Sequence, residues 1–188
     1  MKRIYKWRGF ILGLLALGLF ISPAAPLQYG PTTTAALLLI VGILLRVFAR
    51  RTIGEHTRGV VHAAPALVTT GTYSLMRHPL YVSNTLIASG AILFHLDFEV
   101  WAIPFLAVLL SLEFALSKAE DRFLESTFQD DWKNWKARTW AFFPNPRNFT
   151  PTPQPRSFFQ SLWADRSTWL WVFLLIFALY GKKVFLGA

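Results

Sequence analysis

The chain contains no cysteine among its 188 residues. Disulfides, cysteine-ligated zinc, iron–sulfur clusters and cysteine nucleophiles are therefore all excluded. Histidine is sparse too: His56, His62, His78 and His95 are scattered, with no HExxH-type spacing, so no metal site is expected. A glycine-rich dinucleotide fingerprint of the Rossmann kind is also missing. Acidic residues number 10 against 19 basic ones, for a formal net charge of +9.

What the chain does have is apolar bulk. With 54% hydrophobic residues, eight Trp and seventeen Phe, it is too oily for an ordinary soluble domain and reads as a membrane-embedded, all-α protein of one domain. A bilayer-spanning helix needs roughly 20 mostly apolar residues. Five stretches approach that length: 9–27, 33–49, 79–96, 100–116 and 167–186. The second and fourth are short, and the fourth contains Glu113. The first, with basic "MKRIYKWR" before an apolar core and "SPAAP" after it, also has the outline of a signal peptide.

Short inner loops of membrane proteins are enriched in Lys and Arg. With the N-terminus inside, the inner segments hold every basic residue except Lys182 and Lys183, while the outer connections 28–32 and 97–99 hold none. The positive charge is thus a topology signal and an attraction to anionic headgroups; no nucleic-acid partner is expected. Both long polar segments, 50–78 and 118–166, fall on the inner side. A cofactor site is expected on that cytoplasmic face.

The stretch "YSLMRHPLYVSN", residues 73–84, stands at the edge of the third span. Proline suits the first turn of a helix, so Pro79 opens that span and His78 lies just outside it. The free N–H groups of a helix start attract anions, and Arg77 adds a planar fork suited to a carboxylate. Tyr81 lies in the first turn. Asn84 and Thr85 carry the same face into the membrane. A plain alternative is that Arg77 marks the positive-inside edge and His78 caps a helix.

The fourth span continues through "SLEFALSKAEDRFLE" without Gly or Pro, which predicts one helix running out of the membrane. Glu113 and Glu120 share a face, with Ser117 between them. An intramembrane Glu is costly and is usually paired or functional, though one near the interface can simply be hydrated. Because spans three and four form a tight hairpin, residues 77–81 and 117–121 must be neighbours. That places cationic donors opposite carboxylates, a pairing suited to an amino-acid zwitterion.

These residues resemble a known pattern. "ALVTTGTYSLMRHPLYVSN", followed by "AEDRFLESTFQDDWKNWKARTWAFFP", is similar to the isoprenylcysteine carboxyl methyltransferases and the related phospholipid methyltransferases. The family pattern runs LVTxGxYxxxRHPxY, then Glu-Glu-x-x-Leu, then an FGxEYxxYxxxVxRFxP-like tail; the likeness covers residues 67–144. It implies an integral membrane enzyme using S-adenosyl-L-methionine. On matching positions it implies Arg77, Tyr81 and Glu120 as catalytic candidates. It also implies cofactor contacts at Leu67, Val68, Gly71, Tyr73, Arg77, His78, Pro79, Tyr81 and Glu120. The implied acceptor is lipophilic or lipidated and enters from the bilayer. O-methylation of a carboxylate leads, with amine or phospholipid N-methylation and thiol S-methylation as alternatives. A reductase or non-catalytic scaffold sharing RHPxY is the reading from another class.

There are departures. Asp121 replaces the second Glu of the pair, Phe128–Gln129 replaces Phe-Gly, and Trp132 and Trp135 stand at tyrosine positions. Pro65 occupies a position where many members carry His, and His62 is out of register for that role. Residues 145–166 are proline-rich and read as an irregular linker, and the span after it lies beyond the likeness. Trp7, Trp101, Trp163, Trp169 and Trp171 fit an interfacial belt. Trp132, Trp135, Trp140, Phe142 and Phe143 read as an amphipathic surface element, or as the wall of a lipid entry.

Overall fold

The computed structural model describes residues 2–53 and 66–185. His56, Arg58, His62 and Pro65 lie outside them. The fold is all-α: α1 Lys2–Ile21, α2 Tyr29–Ile53, α3 Thr72–Leu75, α4 Pro79–Leu96, α5 Ala102–Arg138, α6 Phe158–Ala164 and α7 Arg166–Phe185, with a 3-10 turn at Pro146–Asn148. Among the described residues four helices, α2, α4, α5 and α7, are long and apolar enough to cross a membrane.

The first expected span needs correcting. Helix α1 stops at Ile21, not Leu27. Pro23 and Pro26 follow immediately, and proline cannot continue a helix because it lacks the N–H and its ring clashes with the preceding turn. Helix α1 nonetheless runs the length of α4: its Tyr5 hydroxyl meets that of Tyr81 at the start of α4, and His95 near the end of α4 meets the Ser22 carbonyl just past α1.

Helices α2 and α4 form the tightest pair. They approach at small residues, where side-chain bulk would hold the backbones apart. A Cβ on Gly42 would stand 2.8 Å from the Ile87 side chain, and one on Gly90 would stand 2.9 Å from the Ala35 carbonyl. Ser83 Oγ donates to the Gly42 carbonyl at 2.8 Å, which fixes the register between them.

Two apolar clusters sit at opposite ends of the bundle. Leu19, Ala91, Ile92, Leu96, Leu109 and Leu179 join α1, α4, α5 and α7 at one end. Ala49, Tyr73, Trp132 and Trp135 form the other, against Leu67, Val68, Leu80, Leu124 and Phe128. Trp132 and Trp135 are 1% and 3% exposed, so they are core residues and not a surface element; Trp140 and Phe143, at 58% and 73%, do face outward.

Lys182 and Lys183, the two cations out of place in the sequence, have a local explanation. Lys182 Nζ donates to the Phe20 and Ser22 carbonyls and Lys183 Nζ to that of Ala25. These carbonyls lie at or just past the end of α1, where the following prolines offer no helical N–H in return. The last turn of α7 thus caps α1.

Residues 145–166 are more ordered than a proline-rich linker. They cross the α2 and α3 ends as a strap: Gly71 N–H donates to Thr150 O, Thr150 N–H to Ser74 Oγ, and Arg156 N–H to Arg51 O. The strap then forms α6, opened by a capping box in which Ser157 and Gln160 satisfy each other's backbone N–H groups.

Candidate functional site

The site is assembled where α3 gives way to α4. The chain from Leu75 to His78 pairs with residues 140–145: Arg77 N–H donates to Trp140 O at 2.8 Å, His78 N–H to Ala141 O at 3.0 Å, and Asn145 N–H to Leu75 O at 2.9 Å. Pro79 occupies the first turn of α4 and His78 is its N-cap. The backbone at both motif residues is thereby held by the segment that follows α5.

The hairpin prediction holds: the starts of α4 and the outer stretch of α5 meet. The acid that makes the contact is Asp121. Its Oδ1 lies 3.1 Å from His78 Nε2 and its Oδ2 3.4 Å from Arg77 Nη2. Arg77 Nη1 donates to the Thr139 carbonyl at 2.6 Å. Both ends of the guanidinium fork are engaged within the protein. Arg77 Nε and His78 Nδ1, however, are buried and have no hydrogen-bond partner. Arg77 and His78 are 8% and 2% exposed. Buried polar atoms are nearly always paired; His95 Nδ1 and Trp132 Nε1 are also unpartnered among the described residues, and Arg77 Nε and His78 Nδ1 are the two that belong to adjacent residues.

Next to this pair lies a cluster of tyrosines. The hydroxyls of Tyr81 and Tyr5 are 3.1 Å apart, and Tyr5 also donates to the Leu116 carbonyl at 3.4 Å. Glu120, half-buried on α5, lies near enough for its charge to act on Tyr5, Tyr73 and Tyr81. The Tyr73 hydroxyl is held well above the ordinary phenol range, first by burial and second by the Glu120 charge. It stays protonated and can only act as a hydrogen-bonding group.

The remaining expected contacts serve packing as the structure stands. Leu67 and Val68 cover the Tyr73, Trp132 and Trp135 core. Trp135 Nε1 donates to the Tyr73 carbonyl at 3.0 Å. Gly71 has φ +54, and a Cβ there would stand 2.4 Å from both Thr52 Oγ1 and Thr152 Oγ1. Glycine is needed at that position for both its conformation and its lack of bulk.

Glu113 is placed deeper along α5 than Glu120. It is 4% exposed and faces α4 and α2: Asn84 Nδ2 reaches Glu113 Oε2 at 3.5 Å, and Arg46 Nη1 donates to Asn84 Oδ1 at 2.6 Å. The hydrated alternative for Glu113 gives way to the paired one.

Arg46 and Arg50 escaped the sequence reading, which counted them only as inner charges. Arg50 grips Asp165 in a bidentate fork at 2.8 and 2.7 Å, and Arg46 Nε donates to the same carboxylate at 2.8 Å. Asp165 is 2% exposed. Its carboxyl lies below the usual range: burial pushes it up, but the hydrogen bonds and charges of Arg50 and Arg46 outweigh that. The four-residue spacing of the two arginines, one turn apart on α2, was the signal available. Nothing local pointed to their partner across more than a hundred residues.

The chain belongs to the phospholipid methyltransferase family, whose profile matches residues 31–131. That stretch runs from α2 into α5, past the non-helical Gln129, and includes Arg77, His78, Tyr81, Glu120 and Asp121. The protein is therefore an integral membrane protein of a methyltransferase family. Among curated proteins it is 36% identical over 145 residues to the cobalt-zinc-cadmium resistance protein CzcN of Cupriavidus metallidurans, covering 76% of this chain and 63% of that one. It is 32% identical over 152 residues to the nickel-cobalt-cadmium resistance protein NccN of Alcaligenes xylosoxydans xylosoxydans, covering 76% of this chain and 64% of that one. The match thus spans a little under two thirds of each relative. No solved structure matches the chain. Among the described residues there is no group of three or more His, Asp or Glu that could hold a metal ion.

Proposed function

We propose that the protein transfers a methyl group from S-adenosyl-L-methionine to a lipophilic acceptor that enters from the bilayer, at a site on the cytoplasmic side. The observation that carries this reading is the pair of buried, unpartnered atoms, Arg77 Nε and His78 Nδ1, at the start of α4. The methionine end of the cofactor carries a carboxylate and an ammonium. Arg77 Nε, an N–H donor beside a helix N-terminus, suits the first; with His78 Nε2 donating to Asp121, Nδ1 is left as an acceptor, so His78 Nδ1 and the half-buried Glu120 suit the second. When bound, the cofactor supplies an activated methyl on a sulfonium.

The work left to the protein is placement. Methyl transfer is an in-line displacement, so donor and nucleophile must be held about 3–3.5 Å apart with water excluded. Arg77 and His78, fixed by the backbone of residues 140–141 and by Asp121, provide the rigid half of that frame. Tyr81, in the first turn of α4, is the side chain assigned to orient the acceptor. An ionised carboxylate or thiolate needs no base, whereas an amine must lose a proton. The family description favours a phospholipid amine, and the isoprenylcysteine likeness favours a carboxylate.

The test is calorimetric titration with S-adenosylhomocysteine. Losing a charge-assisted hydrogen bond to a buried ligand costs roughly 1.5–3 kcal/mol, so Arg77→Ala should bind about ten- to a hundredfold more weakly than wild type. Equal affinity would remove Arg77 from the site. A panel of prenylcysteines, phosphatidylethanolamine and small thiols with labelled cofactor then identifies the acceptor. Preferential methylation of soluble peptides would exclude lateral entry.

A further inference from the structure

Where α6 turns into α7, the outer surface carries a groove of about 620 Å³ lined by Phe159, Gln160, Leu162, Trp163, Arg166 and Trp169. It lies outside the family-matched residues, and neither Arg77 nor His78 lines it. Its walls are held in place by the chain itself. Trp169 Nε1 donates to the Leu162 carbonyl at 2.6 Å, and Trp169 N–H donates to the Asp165 carbonyl at 3.1 Å, so the indole is tied across the elbow. The other wall is left uncovered, with Phe159 79% and Trp163 69% exposed.

The groove's position says what environment fills it. Helix α7 starts with Arg166, Ser167 and Thr168 and turns apolar from Trp169 onward. The elbow therefore sits where a membrane-crossing helix passes from headgroup to hydrocarbon, the level at which tryptophan and arginine concentrate. Water is a poor partner for this many exposed rings, and lipid is the solvent on that side.

The charge says which lipid. The Arg166 guanidinium lies over the Trp163 ring, 5.6 Å from its centroid, and it has no ion-pair partner among the described residues. The adjacent Asp165 does not neutralise it, because that carboxylate is turned inward onto Arg46 and Arg50. A planar cation without a counter-ion, at the polar rim of an aromatic groove, fits a phosphate with an acyl chain below it. We infer that the α6–α7 elbow is a binding site for one anionic phospholipid, with its phosphate on Arg166 and an acyl chain along Phe159, Leu162, Trp163 and Trp169.

The test uses the full chain, purified in detergent, and phosphatidylglycerol or phosphatidylcholine added from mixed micelles, with retained lipid counted by native mass spectrometry. Wild type should retain phosphatidylglycerol in preference to phosphatidylcholine. Arg166→Gln should reduce phosphatidylglycerol retention about five- to tenfold, as expected for one basic contact at the headgroup level. Arg138→Gln, at another exposed arginine, should leave it unchanged. Trp163→Ala provides a second variant and should lower retention of both lipids. Equal retention of the two lipids by wild type, wild-type retention by Arg166→Gln, or an equal fall in Arg138→Gln would each overturn the site. Thermal midpoints without added lipid show that the variants are folded. None of these readouts depends on methyl transfer.

Discussion

The two oxygens of Asp121 divide between neighbours in sequence, Oδ1 to His78 Nε2 at 3.1 Å and Oδ2 to Arg77 Nη2 at 3.4 Å. One short acid on α5 thereby sets the orientation of both motif side chains. Asp121→Ala would leave Arg77 buried with only the Thr139 carbonyl as partner. Removing one member of a buried pair costs on the order of 3–5 kcal/mol. The expected result is a lowered thermal midpoint together with loss of S-adenosylhomocysteine binding by calorimetry. Asp121→Glu, which restores the acid of the family pattern, should recover most of both.

Glu120 and Tyr81 separate binding from chemistry. Under the proposed reading, Glu120→Gln weakens cofactor affinity about tenfold by loss of a charged contact. Tyr81→Phe leaves affinity near wild type and lowers turnover at saturating cofactor. Measuring Kd and kcat independently distinguishes the two effects. Unchanged affinity in Glu120→Gln together with unchanged turnover in Tyr81→Phe would leave the site with a structural role only.

Asp165 gives a pH dependence with a definite sign. Its folded-state carboxyl is depressed by Arg50 and Arg46 against the opposing effect of burial. A depressed acid contributes stability that is present above its unfolded value, about pH 3.9, and is lost as pH falls through the lower folded value. Asp165→Asn should therefore unfold well below wild type at neutral pH, with the gap closing below about pH 4. Thermal denaturation at pH 7 and pH 3 checks this. A gap of unchanged size at pH 3 would mean the aspartate acts by shape and not by charge.

Gln129 interrupts α5 with φ +45 and ψ −109, a conformation that glycine adopts readily and residues with a Cβ do not. The family tail places glycine at this position. Gln129→Gly should raise stability by roughly 1 kcal/mol, visible as a higher thermal midpoint in detergent. A lower midpoint would show that the glutamine side chain contributes more than its backbone strain costs.

Much of this arrangement was legible in the sequence because it was local. Pro79 after His78 marked the start of α4, and the unbroken run from Leu116 to Glu125 marked the continuation of α5. The short α4–α5 connection was enough to bring residues 77–81 beside 117–121. Asp165 was not legible, since its partners are 115 and 119 residues away and a proline-rich setting suggests no burial. Trp132 and Trp135 were misplaced for a related reason. Charged neighbours make their helix look like a surface element, but Ala49, Leu67, Val68 and Tyr73 enclose the two rings. The end of α1 was readable from Pro23 and Pro26, but hydrophobicity alone carried the expected span past them.

Helix α5 also works as a depth gauge. Glu120 and Asp121 follow Ala102 by eighteen and nineteen residues of unbroken helix. At 1.5 Å per residue that is about 27 Å, close to the roughly 30 Å thickness of the hydrocarbon layer. With the start of α5 anchored at one boundary, the two acids are delivered to the other, where a water-borne molecule and a lipid-borne one can both arrive. The distance is fixed in the protein and variable in the membrane. A thicker bilayer would draw the acids below the headgroups and a thinner one would lift them into water, and either is relieved by tilting the helix. Under the proposed function, bilayer thickness thereby becomes a setting for which of cofactor and acceptor reaches the site more easily.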